Sequence, residues 1–519
     1  MAEHLLLCAP LIALTCTMLA VVALPLVVGR GARTTAGVVL LGVGAALLLT
    51  LQLAGKIKND GGHSILSTSP GDSLLIVDNL SVGFQIILLL FLAAIMALWW
   101  MGSQETEKNA PEFFILLLGS ALGMSLMTST ANLLMIVIAI ETASLPSYAI
   151  VGFDKKDRKG AEASLKYMIF GAVCAAIMLY GASLIYGLVG SLQLDTIARY
   201  TLEHLASDRP PLLLIVGLLC FFAGIAFKIS AVPFHFWCPD AFEGAKIEVT
   251  TWLSVVSKAA GLVLLARIVL IFSGAVSQPA AMDVLAPVAW TIGIMAAITC
   301  TVGNYSAYMQ TSVKRLLAYS SIAHAGYMMM AAAVFLHPDT ENAYAGMTAL
   351  IAYIVIYMFM NLGAFGVVAL VQWDCGSDRI DAFTGLMRRA PWLTVPMVIC
   401  LVSLVGLPPF AGFMGKWWVL LALGQMGGTL GWGLVVIAGA NTLLSLYFYM
   451  RIVVQMTLRD DGRPTVRAPI GGLALVNAAA AMLLLIFVFA QPLKSQAERY
   501  SRGLFMPPVE LRDAKQAGM

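Results

Sequence analysis

The stretch LLMIVIAIETASLPSYAI, residues 133–150, sets one ionisable side chain, Glu141, in the middle of a run that is otherwise almost wholly apolar. A run of this length is close to the roughly 20 residues that carry a helix across a bilayer. It is continuous and lacks the alternation of a barrel wall, so it reads as a helix and not as a strand. A charged group at bilayer depth costs about 2.5–3.5 kcal/mol, and such a residue by default marks an ion or proton path.

The rest of the chain has the same character. Of 519 residues, 60% are hydrophobic and 11% charged, against roughly 45–50% and about 25% in an ordinary soluble domain. The mean hydropathy is +0.88. Water is therefore excluded as the main solvent, and so are disorder and a collagen-like repeat. A net charge of +3 with no large basic patch implies no nucleic-acid partner. About fourteen spans are expected, at 5–28, 34–54, 79–102, 112–130, 132–150, 163–188, 212–237, 248–273, 284–304, 316–336, 343–372, 392–421, 430–455 and 468–491. The first is too long for the apolar core of a signal peptide and is kept as a helix. The fold class is an all-α polytopic membrane protein.

Lys and Arg set the orientation. With the N-terminus outside, seventeen fall on the inner side, many of them in the loops around Lys155–Lys159 and Arg451–Arg467. Four (Lys56, Lys58, Arg199 and Arg209) fall in outer loops. The tail residues Lys494, Arg499, Arg502, Arg512 and Lys515 argue the other way, but charges beyond the last span weigh less. Both termini are expected outside.

Five basic residues remain inside spans: Lys166, Lys228, Lys258, Arg267 and Lys416. Arg267 lies toward a helix end and is expected to snorkel. Lys166 lies one turn inside its helix, within reach of the surface. Glu162, four residues earlier, shares its face, and that pair is open to two readings: a relay, or a plain surface salt bridge worth little. Lys228, Lys258 and Lys416 are well embedded and are expected to function. For His235 and His324 a satisfied core histidine and a relay weigh evenly. Burial disfavours an ammonium and a neighbouring carboxylate restores it. A row of Lys, Glu and His can therefore pass protons, each site's charge setting its neighbour's affinity.

Two charged spans are interrupted by proline. One reads FKISAVPFHFWCPD, with Pro233 five residues after Lys228; the other reads VGLPPFAGFMGKWW, with Pro408 and Pro409 before Lys416. Interior proline breaks a helix, and freed backbone at membrane depth is tolerated only inside protein or along a wet cavity. The breaks fall in spans 7 and 12, five apart. That spacing predicts two inverted five-helix repeats, a transporter pattern; the competing reading is two unrelated packing kinks. The expected organisation is residues 1–111 (spans 1–3), 112–273 (first repeat), 274–455 (second repeat) and 456–519 (last span and tail).

The eight cysteines form no C-x-x-C pair and read as small buried hydrophobes, and Gly42-Val-Gly44 lies in a span with no strand before it. No cofactor is expected in this chain, so the driving energy must come from another polypeptide or an ion gradient. Residues 190–208 are amphipathic and expected to lie along the outer surface. The charged loop Asp154–Lys159 serves either as a topology signal or as a docking surface.

Six stretches resemble one family. They are Glu141-Thr-Ala-Ser-Leu-Pro-Ser-Tyr148, Ala161-Glu-Ala-Ser-Leu-Lys-Tyr167, Phe227-Lys-Ile-Ser-Ala-Val-Pro-Phe-His-Phe-Trp237, Leu253-Ser-Val-Val-Ser-Lys258, Lys314-Arg-Leu-Leu-Ala-Tyr-Ser-Ser-Ile-Ala-His-Ala-Gly326 and Gly406-Leu-Pro-Pro-Phe-Ala-Gly-Phe-Met-Gly-Lys416. The chain is similar to the antiporter-like membrane subunits of respiratory complex I, most firmly over 110–455. Within that family it most resembles the N-type branch. Phe-Met-Asn-Leu-Gly-Ala-Phe at 359–365 matches, residue 416 is lysine where the M-type carries glutamate, and the L-type's long lateral helix is lacking.

The resemblance implies a proton-translocating subunit of a bacterial inner-membrane complex, with both termini periplasmic. NAD, FMN, iron–sulfur clusters and quinone would lie in partner subunits, and other membrane and peripheral subunits, lipid and protons would be its partners. It implies that Glu141 and Lys228 form an ion pair, that Lys258 connects the halves, and that Lys416 belongs to an exit half-channel. His235 and His324 would lie on a hydrated axis, with Lys166 and Glu162 as a further polar pair. At Gly244–Thr250 the chain departs from the family, carrying Lys246 and Glu248 where prolines are usual. Two other readings share the pattern: an Mrp-type cation/proton antiporter or related hydrogenase subunit, and a structural anchor with vestigial polar sites.

Overall fold

The computed structural model describes residues 2–60, 63–65, 73–102, 109–205, 211–274, 280–337, 339–460 and 462–504. Lys108, one of the seventeen inner-side charges, and Arg209, Arg512 and Lys515 of the outer side lie outside the described residues. The described residues are helical almost throughout. In order the helices are α1 (Ala2–Leu7), α2 (Ala9–Val27), α3 (Ala32–Asp60), α4 (Asn79–Gly102), α5 (Ala110–Ser129), α6 (Leu133–Val151), α7 (Arg158–Val189), α8 (Leu194–Leu205), α9 (Leu212–Ile229), α10 (Trp237–Gly244) and α11 (Ile247–Trp252). They continue as α12 (Lys258–Gly274), α13 (Ala280–Ala307), α14 (Val313–Val334), α15 (Thr340–Cys375), α16 (Leu386–Arg389), α17 (Pro391–Val405), α18 (Ala411–Met426), α19 (Gly428–Thr457), α20 (Ile470–Val488) and α21 (Ala490–Leu504).

Twelve helices among the described residues are long and apolar enough to cross a membrane. Two expected spans fall outside that set for physical reasons. The span expected at 316–336 is α14, whose Lys314, Arg315, Ser320, Ser321 and His324 dilute its apolar character. The span at 392–421 is divided into α17 and α18. The span expected at 212–237 is likewise cut after Ile229, where Ser230 turns into the left-handed region (φ 65°) and caps α9.

Two features were not foreseen. His63–Ile65 and Leu75–Val77 pair as a short antiparallel hairpin, β1–β2, in the link between α3 and α4. Leu253–Ser257 widens into a π segment between α11 and α12, ending on Lys258. π-bulges of this kind concentrate at functional sites.

Local sequence explains where the main helices start. Asn132 Oδ1 accepts from the amides of Leu134 and Met135, and Asp157, Ser312 and Asp339 cap α7, α14 and α15 in the same way. Each satisfies donors that the first turn of a helix leaves open. Helices approach closely where glycine permits it. A Cβ on Gly123 would lie 2.2 Å from the Ala143 amide nitrogen, so α5 and the Glu141 helix pack backbone to backbone. Lipid supplies no hydrophobic drive between helices, and small residues at such contacts allow the close packing that holds them. The core runs through α12, α14 and α15, which are buried almost throughout, while α2, α3, α19 and α20 expose broad apolar faces. The amphipathic segment expected along a surface is α8, packed on α12, α13 and α7.

Candidate functional site

Lys228 occupies the last turn of α9 and is fully buried. Its ammonium donates to Ser144 Oγ at 3.2 Å. Ser144 lies three residues beyond Glu141 on α6, on the same face. No direct ion pair joins the two charged groups among the described residues. Serine intercepts the lysine, and Glu141 Oε1 is buried without a hydrogen-bond partner among those residues. The ion pair implied by the resemblance is thus not drawn as a direct contact among the described residues: Lys228 meets Ser144, one turn along α6 from Glu141.

Beyond Lys228 the backbone leaves the helix, and its freed groups are served by side chains. Trp237 Nε1 donates to the Phe227 carbonyl at 3.1 Å, and the Val232 amide donates to Thr299 Oγ1 at 3.0 Å. The Trp237 ring stacks on Tyr167 with centroids 4.1 Å apart. His235 sits in this unwound segment, nearly buried, with Nδ1 lacking a partner among the described residues.

Lys258 follows the π segment and is fully buried. Its ammonium donates to Ser321 Oγ at 2.8 Å and to Cys238 Sγ at 3.1 Å, and lies 5.0 Å from the centre of the Phe242 ring. Ser321 is three residues before His324 on α14. His324 Nδ1 pairs with the Tyr353 hydroxyl at 2.8 Å, and its Nε2 lies 3.4 Å from the Tyr449 hydroxyl, which also meets Ser320 Oγ.

Lys416 belongs to α18, one helical turn past the second break. Its ammonium donates to the Val405 carbonyl at 2.8 Å, an acceptor freed where α17 ends, and lies 4.3 Å from the Tyr327 ring centre. Glycine makes this contact possible. A Cβ on Gly412 would lie 1.8 Å from the Ser403 carbonyl oxygen, and Gly406 turns at φ +86° against the Lys416 side chain.

The remaining charged candidates stand apart from this row. Lys166 is 44% exposed and pairs with Glu162 at 2.8 Å and with Asp240 at 3.1 Å. Arg315 bridges Asp240 (2.6 Å) and Glu243 (2.9 Å). This is a surface network tying α7, α10 and α14 together. Burial alone would raise the Asp240 carboxyl, but hydrogen bonds from Arg315 and Lys166 hold it below its ordinary range. Lys246 and Glu248 lie beside this region. Glu248 is buried, and the buried Lys314 donates to the Ala245 carbonyl at 2.7 Å.

Arg267 does not snorkel. It is buried, makes a two-pronged pair with Asp78 at 2.8 Å on each arm, and donates Nε to the Thr128 carbonyl at 2.9 Å. The carboxylate that draws it in is Asp78, which sequence reading did not single out because it lies at the very edge of an apolar run; it also caps α4, the Ser81 amide donating to Asp78 Oδ1. Ser144, Cys238, Ser321, Tyr353 and Tyr449 were also missed. Hydroxyls and thiols in apolar helices carry no sequence signal that separates contacts from filler.

The model for the family described as NADH:quinone oxidoreductase/Mrp antiporter, TM, matches residues 130–442, which include every group of the row. The chain is 44% identical over 388 residues to NADH-quinone oxidoreductase subunit N 2 of Sorangium cellulosum, covering 74% of this chain and 75% of that one. Among solved structures it is similar to a chain of respiratory complex I from Thermus thermophilus, with a TM-score of 0.73 and 31% identity over 94% of this chain and 98% of the other. A chain of the Mrp complex from Dietzia shares the fold at a TM-score of 0.83, 20% identity and coverage of 98% and 99%. With more than half of its length matched by the family model and a 44% identical relative covering three quarters of it, the chain belongs to the NADH:quinone oxidoreductase/Mrp antiporter membrane-subunit family, and its relatives include many named subunit N of NADH-quinone oxidoreductase.

Proposed function

We propose that this chain is the N-type proton-translocating membrane subunit of a bacterial NADH:quinone oxidoreductase. Energy released in partner subunits that hold NAD, FMN, iron–sulfur clusters and quinone moves protons along its buried row. The observation that carries this reading is the set Lys228, Lys258 and Lys416. Three ammonium groups are at most 5% exposed, on three different helices, two of them beside breaks. Each touches a group able to change its charge or its hydrogen bonds: Ser144 beside Glu141, Cys238 with Ser321, and the Val405 carbonyl with Tyr327. Buried ammonium groups of this kind are costly to keep without a use.

Glu141 is read as the controller of Lys228, Lys258 as the link between halves, and Lys416 as the far terminus. His235 and His324 are intermediate groups. Lys166 and Glu162 anchor the row's surroundings at the aqueous surface. The membrane is the bacterial inner membrane, with both termini periplasmic.

The halves 112–273 and 274–455 are read as inverted repeats. The support is a matched pair of backbone bridges. Asn132, the cap of α6, pairs with Gln193 just after α7, and Ser312, the cap of α14, pairs with Arg379 just after α15. Both α7 and α15 end on a left-handed glycine, Gly190 and Gly376. This correspondence favours a repeat over two unrelated kinks.

The test is Lys228→Ala and Glu141→Ala in the assembled complex in sealed vesicles. Quinone reduction should persist in assembled complex while the proton-to-electron ratio falls. An unchanged ratio in both variants refutes the assignment. Sodium-dependent transport by the chain without electron carriers would favour the antiporter reading.

A further inference from the structure

We propose that Cys238 is a proton-relay residue for Lys258; the inference rests on the proton-translocation reading above. The broken span gives the chain a way to aim a thiol at the central lysine. Helix α10 starts immediately after the unwound segment, and its second residue, Cys238, is fully buried with Sγ 3.1 Å from Lys258 Nζ. One turn further along, Phe242 presents its ring face 5.0 Å from the same ammonium. One helix thus supplies both the apolar lid on Lys258 and the group beneath it. Ser321 Oγ, from α14, lies 2.8 Å from Nζ and 3.9 Å from Sγ, so the three polar atoms form a closed triangle inside the protein.

A thiol differs from the alanine or valine that would fill the same space, because it both donates and accepts. When Lys258 is an ammonium, its N–H points at sulfur. When it is an amine, the S–H points at nitrogen. The contact survives both states, as a relay requires. The step balances without electron transfer. An N–H bond of Lys258 breaks as an S–H bond forms. The former S–H proton passes to Ser321 Oγ as the hydroxyl's own proton, held on the Ala318 carbonyl at rest, turns and passes to a water molecule admitted beside it during turnover. The next proton along the row restores the Lys258 ammonium, so one proton enters, one leaves, and thiol and hydroxyl are both regenerated.

The experiment uses the assembled complex in sealed vesicles with Cys238→Ala, Cys238→Ser and Lys258→Ala, measuring proton-to-electron ratio and the S–H stretching band by infrared difference spectroscopy during turnover. Cys238→Ala should lower pumping several-fold with quinone reduction retained, and Cys238→Ser should restore most of it. The parent complex should show an S–H band that shifts on turnover, is absent from Cys238→Ser, and stays fixed in Lys258→Ala. A Cys238→Ala complex that pumps like the parent, or an S–H band at this position that does not move during turnover, overturns the proposal. Normal pumping by Lys258→Ala would instead sink the reading of the row itself, so the two failures are told apart. If Cys238→Ala does not assemble, Cys238→Ser and the infrared band of the parent decide the matter alone.

Discussion

Arg267→Met removes one partner of an ion pair whose side chains are 5% and 10% exposed. The guanidinium makes two bonds of 2.8 Å to Asp78 and one of 2.9 Å to the Thr128 carbonyl, joining α12 to the start of α4 and the end of α5. Left alone, the Asp78 carboxylate keeps only the bonds of its own cap. Breaking a buried pair in this way costs about 3–5 kcal/mol, chiefly through the stranded charge. At about 1.4 kcal/mol per factor of ten this is roughly two to three and a half decades in the folded-to-unfolded ratio.

Asp78→Asn strands the arginine instead and should cost a similar amount, although asparagine can still accept from Ser81. The double variant strands neither charge. Its loss should shrink to about 1–2 kcal/mol, the order of the forgone hydrogen bonds. The predicted coupling is therefore several kcal/mol, far above the few tenths expected of independent sites. Unfolding of the purified protein in detergent, followed by intrinsic fluorescence over a denaturant titration for all four proteins, measures the cycle. Single losses below about 1 kcal/mol, or a double variant as weak as the two singles added, would refute the argument that the pair is dry and mutually dependent.

Gly412→Ala should destabilise the second break by about 1–3 kcal/mol, because its methyl would overlap the Ser403 carbonyl. Thermal stability together with the proton-to-electron ratio checks this, since Lys416 lies one turn away. Ser144→Ala removes the acceptor of Lys228 while leaving Glu141 in place. Pumping should drop, and Ser144→Thr should restore it, as read by vesicle acidification.

The Asp240 carboxyl is held below its ordinary 3.8, so its contribution to stability is fully present above that pH and is lost as pH falls through the lower folded value. Melting temperatures measured between neutrality and pH 3 should fall less steeply in Asp240→Asn than in the parent. An identical acid slope would remove the network's role. The effect is small because the carboxylate is partly exposed and solvent screens it.

Apolar run length determined the helical membrane class, and the cost of charge in oil singled out Glu141, Lys228, Lys258 and Lys416 without any coordinates. Proline in two of those runs located both breaks, but proline alone does not decide a break, since Pro146 and Pro396 lie inside continuous helices; the packing around Pro233 and Pro408–Pro409 does. Which neighbour each buried group touches could be decided only by the packed bundle. Arg267 shows why. Its position near a helix end favoured reaching for water, yet Asp78, distant in sequence, offers a carboxylate across the helix interface. Lys166 was ambiguous along its helix, and Asp240 of another helix draws it into a surface network. Ser144, which carried no signal in the sequence, receives the Lys228 ammonium, and a cysteine counted as filler meets Lys258. Periodicity and apolarity are properties of one helix, legible along the chain; hydrogen-bond partners belong to the interface between helices, and only their packing fixes them.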